Sequence, residues 1–263
     1  MAWNLSKLTP ESLFYLILGG IVPAVLWLFF WLREDRLRPE PKRLIILTFV
    51  LGMVSAVVAA KLNQGLGQIF GQIFDVTPVI SAPSNSELLL KQNFVLGLAL
   101  VVLSALVEEV TKLGAAYFGG LRAKQADEPI DSVIYMITAA LGFAALENAT
   151  YLTTTFLHGD QTALLIALGN MRFIGPTLLH VLTSGTLGIF LAYAFYRRRA
   201  YKAADLALGV ILATALHTFF NLFIMSNEGK QIKVFLAFVS VWVGIILLIL
   251  FFERVKKIKP KPN

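Results

Sequence analysis

Two adjacent carboxylates, Glu108 and Glu109, interrupt one of the most apolar stretches of the chain. The fourteen residues 94–107 before them carry no charge, and apolar sequence resumes at Leu113, directly after Lys112. Lys112 lies about one helical turn beyond the pair and can reach either carboxylate. Ionisable side chains are costly to bury in a membrane and usually face a bundle interior or a water-filled cavity. One lysine cannot neutralise two carboxylates, so we favour a functional site over an ion pair that only locks helix packing.

Further residues that could take part in the same chemistry lie in three later apolar stretches. His217 and Asn221 share a helix face one turn apart, and His180 and Glu147 stand in two other stretches. A single histidine on an apolar helix is usually a packing residue. Three carboxylates, two histidines and an asparagine in four successive stretches instead indicate a site. Carboxylates and imidazoles can hold a zinc ion with one position open, and zinc-bound water is a nucleophile near neutral pH.

The composition restricts the class of protein. Of the 263 residues 57% are hydrophobic and only 15% are charged, with a mean hydropathy of +0.73, which is far more apolar than a soluble domain of this size needs. The chain has no cysteine, so disulfides, thiol nucleophiles and cysteine-ligated metals are excluded. The net charge of +7 does not indicate nucleic acid as a partner, because the basic residues cluster at the ends of apolar stretches, where they meet anionic lipid.

The hydropathy pattern predicts an all-α protein, a polytopic transmembrane helix bundle of about seven spans. The basic residues place the N-terminus outside and the C-terminus in the cytoplasm, because 16 of the 23 Lys and Arg residues then fall on the inner side and 5 on the outer side. The pattern is that of a multi-pass protein, which we place in the bacterial plasma membrane. The predicted spans are residues 12–32, 44–60, 94–118, 132–157, 162–196, 206–226 and 234–252.

The fifth stretch, 162–196, is long for a single crossing. It contains Arg172 and the pair Gly175 and Pro176. A proline inside a helix removes a hydrogen bond and clashes with the preceding turn, so a broken or strongly kinked helix is expected. A complete break would raise the number of spans to eight.

No linker divides the chain, so residues 1–263 are interpreted as a single integral membrane domain. All candidate chemistry lies in the four spans of residues 94–226, which we take as the catalytic core. Residues 62–92 form the longest interruption between spans. They are interpreted as an outer loop that contains either a short helix lying in the membrane interface or no regular element.

Four short patterns in the core resemble the motifs of a known family. Glu-Glu-x-x-Lys at 108–112, Gly-Phe-x-x-x-Glu-Asn at 142–148, His180 and His-x-x-x-Asn at 217–221 are similar, in this order, to those of PrsW-type intramembrane proteases. That family is related to CAAX-prenyl endopeptidases and bacteriocin-processing membrane proteases. Each motif alone is weak, but four in order on successive spans are specific. The resemblance covers about residues 94–226.

The resemblance implies hydrolysis of a peptide bond within the membrane. The substrate would be a membrane-associated protein in the lipid bilayer, for example a single-span anti-sigma factor, although many family members have no known substrate. The residues that the resemblance assigns to the catalytic site are Glu108, Glu109, Glu147, His180, His217 and Asn221.

The adjacent glutamates would divide the work between them. We expect Glu108 to act as general base on the attacking water, although either member of the pair could take this role. Glu109 would pair with Lys112 and position its neighbour.

The remaining residues would act on the metal or on the substrate. Glu147, His180 and His217 would bind zinc or stabilise the oxyanion, and Asn221 would donate to the carbonyl oxygen. Members of the family are usually classed as metalloproteases. Related prenyl endopeptidases have been argued to use a glutamate-activated water without metal, so both mechanisms stay open and we favour zinc.

Two other classes of function are compatible with the residues. A proton-coupled transporter or channel would use buried Glu, His, Lys and Arg as a relay, and a scaffold would retain the polar site without catalysis. Mutation of Glu108 separates the three, because a protease then loses cleavage, a transporter loses flux and a scaffold loses neither.

Overall fold

The computed structural model describes residues 9–34, 38–74, 93–157, 171–225 and 231–259. These residues are almost entirely helical, and no strand occurs among them. The helices are α1 (Pro10–Glu34), α2 (Lys42–Ile73), α3 (Phe94–Ala116), α4 (Pro129–Leu157), α5 (Pro176–Ala194), α6 (Arg199–Met225) and α7 (Gln231–Val255).

Seven helices in the described part of the chain are long and apolar enough to cross a membrane. The prediction of a seven-span all-α bundle is therefore confirmed. The third span continues beyond α3 through a π-helical turn, Tyr117–Leu121, and the fifth begins before α5, at Met171. The orientation, with the N-terminus outside, stays a prediction.

Helix α4 is the centre of the bundle. In its most apolar 18-residue window 94% of the residues are buried, against 17% in α1. Helices α1, α2 and α5 surround α4, α5 also packs against α6 and α7, and α3 lies between α2 and α6. The outer helices present large apolar side chains such as Phe14, Phe29 and Trp242 on their exposed faces, as expected where lipid is the solvent.

Small residues let α4 approach its neighbours closely. A Cβ atom on Gly142 would collide with the backbone of Phe49, and one on Gly52 would collide with the backbone of Ala139. Gly20 of α1 packs in the same way on the α4 backbone. Such contacts are typical of membrane helices, which associate mainly by close packing. They hold α2 close against α4.

Helix α2 is longer than the sequence predicted. It continues without interruption to Ile73, so residues 62–73 belong to this helix and not to a loop. One face stays apolar through this region, where Ala59 packs on Phe143, and Leu66 and Phe70 pack on Leu100. Residues 75–92, the remainder of the predicted outer loop, lie outside the described residues.

The predicted break in the fifth stretch is present. One helical turn, residues 171–174, ends at Gly175, whose backbone (φ −115°, ψ −90°) is not helical, and Pro176 then begins α5. Proline is favoured at this first position because the amide hydrogen that it lacks would have no partner there. Trp27 Nε1 of α1 donates to the carbonyl oxygen of Phe173 at 3.3 Å and so holds the turn in place. Residues 162–170 lie outside the described residues, and 171–194 form one span.

Candidate active site

Glu109 is the centre of a buried hydrogen-bond network. Lys112 Nζ lies 2.6 Å from Glu109 Oε1, and both side chains are completely buried. Ser184 Oγ of α5 donates to Oε2 at 3.2 Å, and His217 Nδ1 of α6 lies 2.8 Å from Oε1. A buried carboxylate is tolerated only when it is paired and its oxygens are hydrogen-bonded. Glu109 meets this requirement with partners from three helices.

The partners of His217 determine which ring nitrogen carries the proton. An ionised carboxylate can only accept, so Nδ1 of His217 donates its hydrogen to Glu109. Nε2 then keeps its lone pair, 3.6 Å from Glu108 Oε2. Glu109 thus fixes both the tautomer and the orientation of His217, and Nε2 faces Glu108.

His180 has partners at both ring nitrogens. Lys112 Nζ lies 3.1 Å from Nδ1, and because an ammonium group can only donate, Nδ1 is the acceptor. Nε2 therefore carries the hydrogen and donates to Glu147 Oε2 at 2.6 Å. The His180 and His217 rings are in edge contact, with centroids 5.3 Å apart. Lys112 also connects the two histidines, because it contacts His180 directly and His217 through Glu109.

Arg172 pairs with the third carboxylate. Its Nη2 donates to Glu147 Oε1 at 2.8 Å, its Nε donates to Asn148 Oδ1, and the guanidinium lies over the Tyr151 ring, 4.5 Å from the centroid. The Arg172 side chain is 12% exposed and that of Glu147 is 40% exposed. Glu147 is therefore the most accessible of the three carboxylates. The sequence drew attention to Arg172 only as part of the broken stretch and as a candidate for a proton relay.

One group of side chains has the composition and spacing of a metal site. Glu108, His180 and His217 each offer a ligand atom, and these atoms lie within 4.8 Å of one another. Two histidines and one carboxylate are a common catalytic zinc set, and a ligating histidine usually donates its other N–H to a carboxylate, as His217 does to Glu109. His180 would have to release Lys112 or Glu147 to offer a nitrogen. The residues fit zinc in type and spacing.

The carboxylate of this group differs from the predicted one. Glu147 was expected as the third zinc ligand, but its two oxygens accept hydrogen bonds from Arg172 and His180. Glu108 takes the corresponding place beside both histidines.

The structure brings together five of the six residues predicted for the site. Asn221, the sixth, is partly buried on α6, one turn beyond His217. The residues that the structure joins in one network are Glu108, Glu109, Glu147, His180 and His217.

The sequence did not single out Asn63 or Ser184 as site residues. Ser184 is one of the small polar residues that follow His180 in the sequence, and Asn63 falls in the predicted outer loop. The repeat Ala56, Ala59, Asn63, Leu66 follows helical spacing, and that repeat was the available signal for Asn63.

Comparison with known proteins gives a consistent result. A family model described as "PrsW family intramembrane metalloprotease" matches residues 40–251. Protease PrsW of Geobacillus kaustophilus (strain HTA426) is 24% identical over 250 residues, which cover 94% of this chain and 92% of the relative. Protease PrsW of Clostridioides difficile (strain 630) is 25% identical and covers 86% of each chain, and that of Bacillus subtilis (strain 168) is 25% identical over 88% of this chain and 92% of its own. No solved structure matches.

The family match is wider than the motifs, since it includes α2 and most of α7 as well as the four core spans. It covers more than half of the chain, and the relatives align over nearly their full lengths. The chain belongs to the PrsW family of intramembrane metalloproteases.

Proposed function

We propose that the chain is an endopeptidase that cuts a membrane-associated protein with a water molecule activated by Glu108. Family membership makes the chain an enzyme, a protease of the bacterial membrane. The observation that carries the finer proposal is the position of Glu108: its Oε2 lies 3.6 Å from His217 Nε2, and its side chain is partly exposed whereas that of Glu109 is completely buried. A substrate of one span, such as an anti-sigma factor, would suit such a site.

The surroundings of the two glutamates support the division of roles. Both oxygens of Glu109 already accept hydrogen bonds, and its side chain is completely buried. The Glu108 side chain is 21% exposed, and its oxygens lie near His217 Nε2 and Asn63 Nδ2. A general base must reach the proton that it removes, directly or through water. We assign this role to Glu108 and the positioning of His217 to Glu109.

The same geometry suggests what the other residues do for the reacting groups. Lys112 neutralises Glu109 and holds the neutral His180 through Nδ1. Asn221, one turn from His217, is proposed to donate to the carbonyl oxygen of the scissile bond as negative charge develops there. Its position on α6 places it on the helix that also presents His217 to the base.

The metal mechanism is the alternative: Glu108, His180 and His217 would hold the ion, and Glu108 would then be a ligand instead of the base. Zinc in such a site polarises a carbonyl and makes water a nucleophile near neutral pH. The contacts of Glu109 to His217 and of Glu147 to His180 then orient two ligands.

The role of Glu108 as general base is tested with purified protein in lipid nanodiscs. The probe is a single-span reporter protein with a fluorescent donor and acceptor on opposite sides of its transmembrane segment. Glu108→Gln should lower kcat by about 10²–10⁴-fold, the usual contribution of general acid–base catalysis. The matched control is Glu253→Gln, which changes a half-exposed glutamate at the end of α7 and should leave kcat unchanged. Cleavage by Glu108→Gln at the wild-type rate would remove Glu108 from the mechanism.

The metal is tested separately from the base. Zinc content and cleavage are measured in wild type and in His217→Ala, before and after treatment with a strong chelator. The metal mechanism predicts that cleavage stops with the chelator and returns with zinc, and that His217→Ala loses both bound zinc and cleavage. Full activity in metal-free protein would overturn the zinc proposal and leave the glutamate mechanism in place.

A further inference from the structure

Helix α2 contributes a residue to the site that belongs to none of the four motifs. Asn63 Nδ2 lies 3.5 Å from Glu108 Oε1 on α3. The neighbouring inward positions of α2, at intervals of three or four residues, are apolar and pack on α3 and α4 as two clusters. Asn63 stands between those clusters, at the level of the polar network. The inward-facing apolar positions are Ala56, Ala59, Leu66 and Phe70.

The carbonyl oxygen of the Asn63 side chain has no hydrogen-bond partner among the described residues, although that atom is buried. The orientation of the amide follows from its neighbour, because the carboxylate of Glu108 accepts and therefore takes the NH₂ group. An unpaired buried amide oxygen costs free energy, and buried polar groups without a partner are rare. Asn63 thus holds an unused acceptor beside the proposed base.

We propose that Asn63 positions the attacking water for Glu108, an inference that rests on the proposed endopeptidase function. Water has two hydrogens and Glu108 can take only one of them. If Asn63 Oδ1 accepts the other, a lone pair of the water oxygen is free to point at the substrate. Two acceptors on different helices, one on Glu108 and one on Asn63, then fix the rotation of the water.

The chemical step balances with these groups. The water oxygen forms a bond to the carbonyl carbon of the scissile peptide, the π electrons of the carbonyl move onto its oxygen, and one water proton passes to Glu108. The C–N bond then breaks, and the leaving amine nitrogen takes the proton from Glu108. Asn63 neither gains nor loses a proton; it holds the water before attack and the new hydroxyl group after it.

A packing role for Asn63 makes different predictions from a water-positioning role. A packing residue affects the stability of the bundle, whereas a residue that orients water affects kcat and leaves substrate binding unchanged. The discriminating variants are Asn63→Leu, which keeps the branching at Cγ but removes both polar atoms, and Asn63→Ser, which keeps a smaller acceptor. Gln68→Leu is the matched control, since it replaces an exposed amide on the same helix.

The experiment measures kcat, KM and the thermal unfolding midpoint with the single-span fluorescent reporter in nanodiscs. Asn63→Leu should lower kcat about 10²-fold, similar to the loss of one preorganised polar group, with KM within about twofold of wild type. Asn63→Ser should recover part of that loss, and Gln68→Leu should match wild type in all three quantities.

Three results would overturn the inference. They are an unchanged kcat in Asn63→Leu, an increase confined to KM, and equal losses of kcat in the leucine and serine variants accompanied by lower unfolding midpoints. If the wild-type protein itself does not cleave the reporter or any other membrane protein, the proposed function fails and this inference fails with it. Cleavage by wild type together with full activity of Asn63→Leu removes only the role of Asn63.

Discussion

Lys112 is the residue on which the balance of charge inside the bundle depends. Its ammonium group contacts Glu109 and His180 and lies 5.2 Å from the Phe143 ring centroid, with no exposed surface. A buried ion pair adds little net stability, but removal of one partner leaves an uncompensated charge. The free energy of unfolding should therefore be more sensitive to one substitution here than to two.

We predict that Lys112→Met lowers the free energy of unfolding by about 3–5 kcal/mol and that Lys112→Met with Glu109→Gln recovers most of it. Catalysis should not recover in the double variant, because a glutamine at 109 can donate as well as accept and so no longer fixes the His217 tautomer. The measurement is unfolding in mixed micelles together with cleavage of the reporter. Lys256→Met, at a partly exposed pair, is the control. Equal losses of stability in the single and double variants would contradict the expectation.

Arg172 serves a similar purpose for Glu147, with a geometry that a lysine cannot reproduce. The planar guanidinium donates to Glu147 and to Asn148 at once. We predict that Arg172→Lys lowers kcat/KM roughly 10-fold or more, since a hydrogen bond to a charged group contributes about 1.5–3 kcal/mol. Arg197→Lys, which changes a half-exposed arginine paired with Asp205, should have no effect on kcat/KM. Wild-type kcat/KM in Arg172→Lys would show that simultaneous hydrogen bonds to Glu147 and Asn148 are not needed.

The glycine contacts between α2 and α4 matter because they let the two helices pack closely, and α2 carries Asn63, which contacts the proposed base. Gly142 lies against the Phe49 backbone, whereas a Cβ on Gly114 of α3 would meet nothing within 4 Å. The same glycine-to-alanine substitution can therefore be tested at a tightly packed position, Gly142, and at an open one, Gly114.

We predict that Gly142→Ala lowers the free energy of unfolding by about 1–3 kcal/mol, the usual cost of overpacking, and lowers cleavage with it. Gly114→Ala should be neutral or should stabilise the protein by up to about 1 kcal/mol, because alanine is the better helix former. Unfolding and kcat are measured for both. A Gly142→Ala protein as stable as Gly114→Ala would show that α2 can move away from α4 without cost.

The helices also show where prediction from sequence stops. Long apolar stretches fix the number of spans, and the Gly-Pro pair fixes the break before α5, because both are local properties of the chain. The full length of α2 was not predicted because Lys61, Asn63 and Gln64 lower the hydropathy of this segment. The apolar face beyond them is stabilised by contacts with α3, and such contacts between helices cannot be read from local sequence. The choice of Glu108 over Glu147 beside the two histidines likewise depends on how helices pack, which local sequence does not encode.

At the scale of the whole molecule, the positions of the basic residues predict the orientation in the membrane. The asymmetry of Lys and Arg predicts an outer N-terminus and a cytoplasmic C-terminus. Reporter fusions after Lys202 and after Asn263 should both report the cytoplasm, and a fusion near Ser84, which lies outside the described residues, should report the outside. A cytoplasmic signal at Ser84 would contradict the seven-span topology.

The distribution of charge among the helices also bears on how the protein enters the membrane during synthesis. Helices α3 and α4 bring the three carboxylates of the site and one lysine, while Arg172, His180 and His217 follow later in the chain. A nascent chain that has inserted only its first four helices holds an excess of negative charge in the lipid, which is costly. The early spans must therefore stay beside the translocation machinery, or keep water with them, until the later helices arrive. The polar network that serves the completed protein thus also imposes an order on its assembly.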